Sequence, residues 1–202
     1  MGQQVVGELR DKAVLALLIS LIVIVIYIRV RFAEYSYGLA AVAALTHDVL
    51  ITLGVLSVFM WVGALGVEIN LPMIAAFLTI IGYSLNDTIV VFDRVRENLP
   101  RMKKPLAEIL DTSINQTLSR TIMTSMTTLI VVSLLFVFNF GSGNVLVGFS
   151  LAMISGVLVG TYSSMFIACP LLHFFENARM ARQAREAKAA PLGGKTTKEA
   201  VV

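Results

Sequence analysis

The amino-acid sequence predicts an all-α integral membrane protein, a helical bundle of five transmembrane spans. Three observations predict it. Apolar residues make up 57% of the 202-residue chain and charged residues only 14%, where a soluble domain carries about 25% charged residues. The mean hydropathy is +0.83. The apolar residues are also gathered into long runs, each near the ~20 residues that cross a bilayer as a helix.

The first run, about Ala13–Ile28, is dense in Leu, Ile and Val and flanked by charge. It is too long for the apolar core of a signal peptide, and no small-residue cleavage site follows it. The second run covers about Tyr37–Val62 and the third about Pro72–Phe92, with Asp87 inside it. The fourth covers about Ser119–Phe138 and the fifth about Val145–Phe166. Along the fifth, Gly148, Ala152, Gly156, Gly160, Ser164 and Ala168 recur every four residues. Such a ladder of small side chains lets two helix backbones approach closely in lipid, so its meaning is packing rather than chemistry.

Between the third and fourth spans, Leu106, Ile109, Leu110, Ile114 and Leu118 follow Pro105 at helical spacing. That pattern predicts a short amphipathic helix over residues 105–118 lying against the membrane surface. Residues 13–175 are therefore expected to form the transmembrane bundle. Residues 176–202, rich in Ala, Lys and Arg, are expected to be a disordered basic tail.

Loop charges orient the bundle. Arg94, Arg96, Arg101, Lys103 and Lys104 follow the third span, Arg179, Arg182, Arg185 and Lys188 follow the fifth, and Arg29 and Arg31 follow the first. The loops around Glu68 and Gly141–Asn144 hold no Lys or Arg. The positive-inside rule places the C-terminus in the cytosol, and five spans then place the N-terminus outside. A bare external N-terminus leads us to expect a preceding span and extracytoplasmic domain, with residues 1–12 the remnant of that domain or its linker.

Polar residues at membrane depth carry the functional argument. A carboxylate near the centre of a spanning helix costs roughly 2.5 to 3.5 kcal/mol on insertion scales. Asp87 is such a group, with Ser84, Asn86 and Thr88 beside it; Asp48 and its neighbour His47 lie inside the second span. In the fourth, Gln116, Arg120, Thr124 and Thr127 or Thr128 form a stripe at helical spacing. These three faces are expected to meet inside the bundle, away from lipid. A carboxyl group in a low-dielectric setting can hold a proton, and a guanidinium that stays charged can displace it on approach. Asp87 and Arg120 are thus candidates for a proton relay, with Asp48, His47 and Asn86 as secondary members. The alternative for each is structural: polar groups that only hold helices together, or, for Arg120, a residue snorkelling to the interface.

Other chemistries fit poorly. The single cysteine, Cys169, rules out an internal disulfide, and His47 with one or two acids offers too few ligands for a transition metal. No activated nucleophile or phosphate-binding loop stands at the required spacing. Neither an enzyme, a bound cofactor nor a nucleic-acid partner is expected; the energy source would be the proton gradient.

Three segments carry a family resemblance. The run IGYSLNDTIVVFDRVREN, Ile81–Asn98, closely resembles the signature of SecF, the smaller subunit of the bacterial SecDF protein-export complex of the RND superfamily. THDVLITLG, Thr46–Gly54, and LSRTIMTSMTTL, Leu118–Leu129, are similar to SecF as well. The related SecD subunit carries a DAN-type core where this chain has Leu85-Asn86-Asp87-Thr88, which favours SecF. The resemblance implies an RND-type half bundle in the bacterial inner membrane, driven by protons and assisting preprotein translocation. It implies SecD, the SecYEG channel, YajC and unfolded preprotein as partners, besides the lipid bilayer. It assigns Asp87 and Arg120 to the proton path and matches the His47–Asp48 pair. Two alternatives stand beside it: an RND-type small-molecule or lipid transporter half, and a non-transporting membrane scaffold.

Overall fold

The computed structural model describes residues 2–31, 34–63 and 70–189. These residues form six helices: α1 (Gly2–Arg31), α2 (Tyr35–Val62), α3 (Leu71–Arg101), α4 (Leu106–Asn139), α5 (Val145–Phe166) and α6 (Ala168–Ala189), with no strand among them. Four stretches, Tyr35–Val62, Leu71–Arg101, Leu106–Asn139 and Val145–Gln183, are long and apolar enough to cross a membrane. The first expected span falls on α1, whose apolar stretch, Leu18–Ile28, is shorter. The all-α membrane fold is thus as the composition predicts.

Local chemistry places the helix ends. Asn70 caps α3, its Oδ1 accepting from the Met73 N–H at 3.1 Å, with Pro72 in the first turn; both are favoured where amide groups lack helical partners. Gly63 ends α2 with φ at 68°, a left-handed conformation that costs glycine little. Large apolar side chains on the outside, such as Trp61 and Phe138, are exposed to the surroundings, as lipid-facing side chains are in a spanning bundle.

Three expectations change in detail. Residues 105–118 are not a separate surface helix, because α4 runs unbroken from Leu106 to Asn139; nothing in this segment interrupts the helical hydrogen bonding. The segment expected to be a disordered tail is helical as far as Ala189. Its alanines favour a helix, and Glu176–Arg179 and Arg182–Glu186 ion pairs at helical spacing support it. Residues 190–202 and the loop around Glu68 lie outside the described residues. At the other end, helix α1 begins at Gly2 and so covers most of the segment read as linker.

Helices α3 and α5 form the central pair, and the small-residue ladder explains it. A Cβ added at Gly156 would lie 2.4 Å from Ile80 Cδ1, and one at Gly160 would lie 3.0 Å from Ser84 Cβ. Gly156 thus sits against Ile80 and Gly160 against Ser84, four residues apart on both helices. The ladder therefore packs within the chain.

The apolar core is divided. One cluster contains Ile28, Tyr37, Ala41, Phe92, Val95, Ile109 and Leu172. The other contains Leu56, Met73, Phe77, Ile80, Val132 and Val157. Between them the helices bury a belt of polar side chains, among them Asp48, Thr52, Ser84, Asp87, Thr88, Thr121, Ser125 and Ser163. The basic loops collect at the end nearer the first cluster. There Arg31 of α1 pairs with Asp93 of α3, and Arg179 of α6 pairs with Glu34 at the start of α2 at 2.8 Å.

Candidate functional site: a polar belt between two apolar clusters

The belt is built in layers, each drawn from several helices. The first layer centres on Asp48 of α2, which is buried. Its Oδ2 accepts a hydrogen bond from Ser84 of α3. Its Oδ1 shares a 3.1 Å hydrogen bond with Nδ1 of half-buried His47. Both carboxyl oxygens therefore have partners. Close approach of Gly160 presses α5 against Ser84 and backs the hydroxyl that Asp48 uses. Beside this layer, Ser125 of α4 and Thr161 of α5 share a 2.6 Å hydrogen bond, and Tyr83 donates to Ser125 at 3.4 Å.

One helical turn further along α3 lies the second layer. Asp87 is buried, yet its Oδ2 has no hydrogen-bond partner among the described residues. The hydroxyls of Thr88, Thr121 and Ser163 are also buried without partners. Most other helical Ser and Thr hydroxyls in the chain bond back to a carbonyl one turn earlier, as Thr79, Thr117 and Ser155 do. Arg120 of α4 exerts an electrostatic pull on Asp87, but no ion pair joins the two. Such a pairing of a buried carboxylate with a nearby, non-contacting guanidinium can hold or release a proton as the separation changes.

The structure thus brings Asp48, His47 and Asp87 into the bundle and leaves two other candidates on its outside. Asn86 is exposed on the outer face of α3, although its neighbours on both sides are buried. The expected inward face of α4 is also corrected. Gln116, Arg120, Thr124 and Thr127 are exposed, and Ser113, Thr117, Thr121 and Ser125 are turned inward instead. Both stripes repeat every four residues, so periodicity alone does not choose between them. Size does: the inward stripe is made of small hydroxyl side chains, which permit close packing against α3 and α5, whereas the long Arg120 side chain would hold those helices apart.

A polar lock at the basic end also escaped the sequence reading. Asn98 is buried at the end of α3 and donates to both Ser113 Oγ and Gln116 Oε1 at 2.9 Å. Arg94 donates to the same Gln116 oxygen at 2.6 Å. Its only signal was an amide near a span end, four residues after Arg94. No cluster of three or more potential metal ligands occurs among the described residues.

Known proteins are similar to this chain. A family model described as "Protein export membrane protein SecD/SecF, C-terminal" matches residues 1–178. A "Protein translocase subunit SecF" from Desulfurispirillum indicum is 51% identical over 178 residues, which cover 86% of this chain and 54% of that protein. One from Rhodothermus marinus is 52% identical over 172 residues, covering 85% of this chain and 54% of that protein. A solved structure described as "Crystal structure of SecDF in Super-membrane-facing form" is 44% identical with a TM-score of 0.74, covering 89% of this chain and 23% of the other. The chain spans about half the length of the curated SecF relatives it matches.

Proposed function

This chain belongs to the SecD/SecF protein-export membrane protein family, on the SecF side, and we propose that it serves as the proton-relay half of a SecF subunit that assists preprotein export. The observation that carries the reading is Asp87: a buried carboxylate with one unpartnered oxygen, within electrostatic reach of the always-charged Arg120. Bringing Arg120 closer favours release of the Asp87 proton; withdrawing it favours uptake. A proton moving down the membrane potential supplies about 2.3 kcal/mol per 100 mV, enough to bias a helix rearrangement between two states. Arg120 lies on the outer surface of this chain, so an adjoining subunit can move it. SecD is the natural candidate, since a "Protein translocase subunit SecDF" of Thermus thermophilus carries a match to this chain over 188 residues at 45% identity.

In this reading the protein sits in the bacterial inner membrane with its basic end and C-terminus in the cytosol. Its working partners are SecD, the SecYEG channel, YajC and the unfolded preprotein. The test is preprotein export in cells lacking their own SecF. The chain is expressed as a chimera with the N-terminal half of a SecF relative, and Asp87→Asn is compared with the parent at equal membrane abundance. Export is expected to fall to the deletion level while SecD still co-purifies. Unchanged export would remove the proton task from Asp87 and leave a scaffold.

A further inference from the structure

Outside the belt, a cleft opens at the basic end between the start of α4 and the junction of α5 with α6. Its volume is about 490 Å³, within the roughly 300–1,000 Å³ that small-molecule sites occupy. Helix register sets its depth. Gly156 lies against Ile80 and Gly160 against Ser84, so α5 and α3 advance together, and Cys169 on the cleft wall comes close to level with Asp93. Asp93 is the first charged residue of α3 after Asp87, and it pairs with Arg31. The inner limit of the cleft therefore stands where the apolar layer of the bundle gives way to charge. From there the cleft runs outward through the depth of the lipid headgroups; Leu118 and Asp111 are two turns apart along α4, about 10 Å.

The wall changes character over that distance. Leu118, Met165 and Phe166 line the inner part, and Asp111, Asn115 and His173 line the outer part. Helix α4 runs antiparallel to α5, with Ser125 bonded to Thr161, so His173 on the α6 wall comes between the levels of Asp111 and Asn115 on the α4 wall. Asp111 is exposed and has no hydrogen-bond or ion-pair partner among the described residues. None of the residues three or four positions from it on α4 is basic: they are Ala107, Glu108, Ile114 and Asn115. The nearest lysine in sequence, Lys104, is paired with Glu108 at 3.1 Å. His173 accepts from the Asn177 amide, 3.1 Å from its Nε2, which leaves the other ring nitrogen as a donor. The Asn115 amide is a second donor. From outside inward, the cleft thus presents an unpaired carboxylate, two neutral donors and an apolar floor, with no Lys or Arg on its walls.

We infer that the cleft binds one phospholipid with an ammonium headgroup, drawn from the leaflet at the basic end. Asp111 takes the ammonium, His173 and Asn115 take the phosphate, and Leu118, Met165 and Phe166 hold the start of the acyl chains. A phospholipid of this class carries ammonium, phosphate and chain in the order in which the wall carries acid, donors and apolar side chains. A headgroup with a phosphate and no cation would meet the Asp111 charge without compensation, and the repulsion disfavours it. The cleft is therefore a local exception on a basic end that otherwise attracts anionic lipid. This inference does not use the proton task and stands or falls apart from it.

Native mass spectrometry of the full-length chimera tests the headgroup preference, with phosphatidylethanolamine or phosphatidylglycerol titrated into the detergent-purified protein. Asp111 is exposed, so its substitution removes no packed side chain. The parent is expected to bind phosphatidylethanolamine at least tenfold more tightly than phosphatidylglycerol. Asp111→Asn is expected to lose that preference, and Asp111→Lys to reverse it. Equal affinity of the parent for the two lipids, or a preference that Asp111→Lys leaves intact, would overturn the inference. A second measurement identifies the occupant in the membrane. A benzophenone amino acid is introduced at Ile114, half-buried on the cleft wall, and irradiated in cell membranes. A phospholipid adduct richer in phosphatidylethanolamine than the surrounding bilayer is expected. A protein adduct in its place would make the cleft a docking surface for a partner chain and end the lipid assignment.

Discussion

Two carboxylates are buried in the same bundle and held in opposite ways. Asp48 has partners for both oxygens, the Ser84 hydroxyl and the His47 imidazole. Asp87, one turn away on the neighbouring helix, keeps a buried oxygen with none among the described residues. A fully satisfied buried network rigidifies and specifies a packing, whereas a partly satisfied one is costly to keep. On the proposed reading the contrast gives them different work: Asp48 ties α2 to α3, and Asp87 keeps an unpartnered oxygen for a proton that comes and goes.

The comparison breaks most sharply at Asp87. Asp87→Asn is expected to abolish proton-driven export and to leave the unfolding temperature in detergent nearly unchanged, because the removed charge has no partner to lose. Asp48→Asn is expected to do the reverse: to lower the unfolding temperature while retaining part of the export. If both substitutions reduced export equally with no change in stability, the division of labour between the two layers would be wrong.

Stability carries the next expected effect. Gly160→Val puts side-chain atoms where Ser84 stands, and overpacking of this kind costs about 1–3 kcal/mol. It also displaces the hydroxyl that Asp48 uses. Ser84→Ala is a milder route to the same end, leaving one buried carboxyl oxygen without its donor at about 1–3 kcal/mol. Thermal unfolding of the purified variants ranks them, with Gly160→Val below Ser84→Ala and both below the parent. A Ser84→Ala variant as stable as the parent would mean that Asp48 is not a structural tie. At the basic end, Asn98→Leu is expected to lose a comparable amount, since Ser113 and Gln116 lose their shared donor.

How much of this was legible in the sequence follows from what each feature depends on. The spans were legible because bilayer thickness sets their length and lipid sets their composition. Asp48 and Asp87 stood out because an acid in an apolar run is expensive wherever its side chain points. The inward face of α4 was not legible. Gln116–Arg120–Thr124 and Ser113–Thr117–Thr121–Ser125 are both valid four-residue stripes, and the choice belongs to the close approach of α3 and α5. Asn86 lies next to Asp87 in sequence but on another helix face, so adjacency misplaced it. Residues 176–189 look like a solvated tail by charge content, and their helix comes from alanine content and the spacing of Glu176, Arg179, Arg182 and Glu186.

A third carboxylate sharpens the comparison by removing burial from it. Glu97, near the basic end of α3, accepts hydrogen bonds from Arg94 at 2.6 Å and Arg101 at 2.7 Å. It is as well partnered as Asp48 but exposed. The hydrogen bond from Arg94 and the charges of Arg101 and Arg94 hold its carboxyl below the usual glutamate range. A carboxyl whose folded-state value is depressed stabilises the fold fully above its unfolded value and loses that contribution as pH falls through the folded one. The expected titration midpoint of Glu97, followed by NMR on selectively labelled protein, is therefore below that of a free glutamate, and high salt should move it back. Glu97→Gln should leave the unfolding temperature unchanged within error, since exposed pairs of this kind are screened and contribute little. A clear loss of stability in Glu97→Gln would mean that pairing alone, without burial, makes a carboxylate structural, and the distinction between Asp48 and Asp87 would then rest only on the count of their partners.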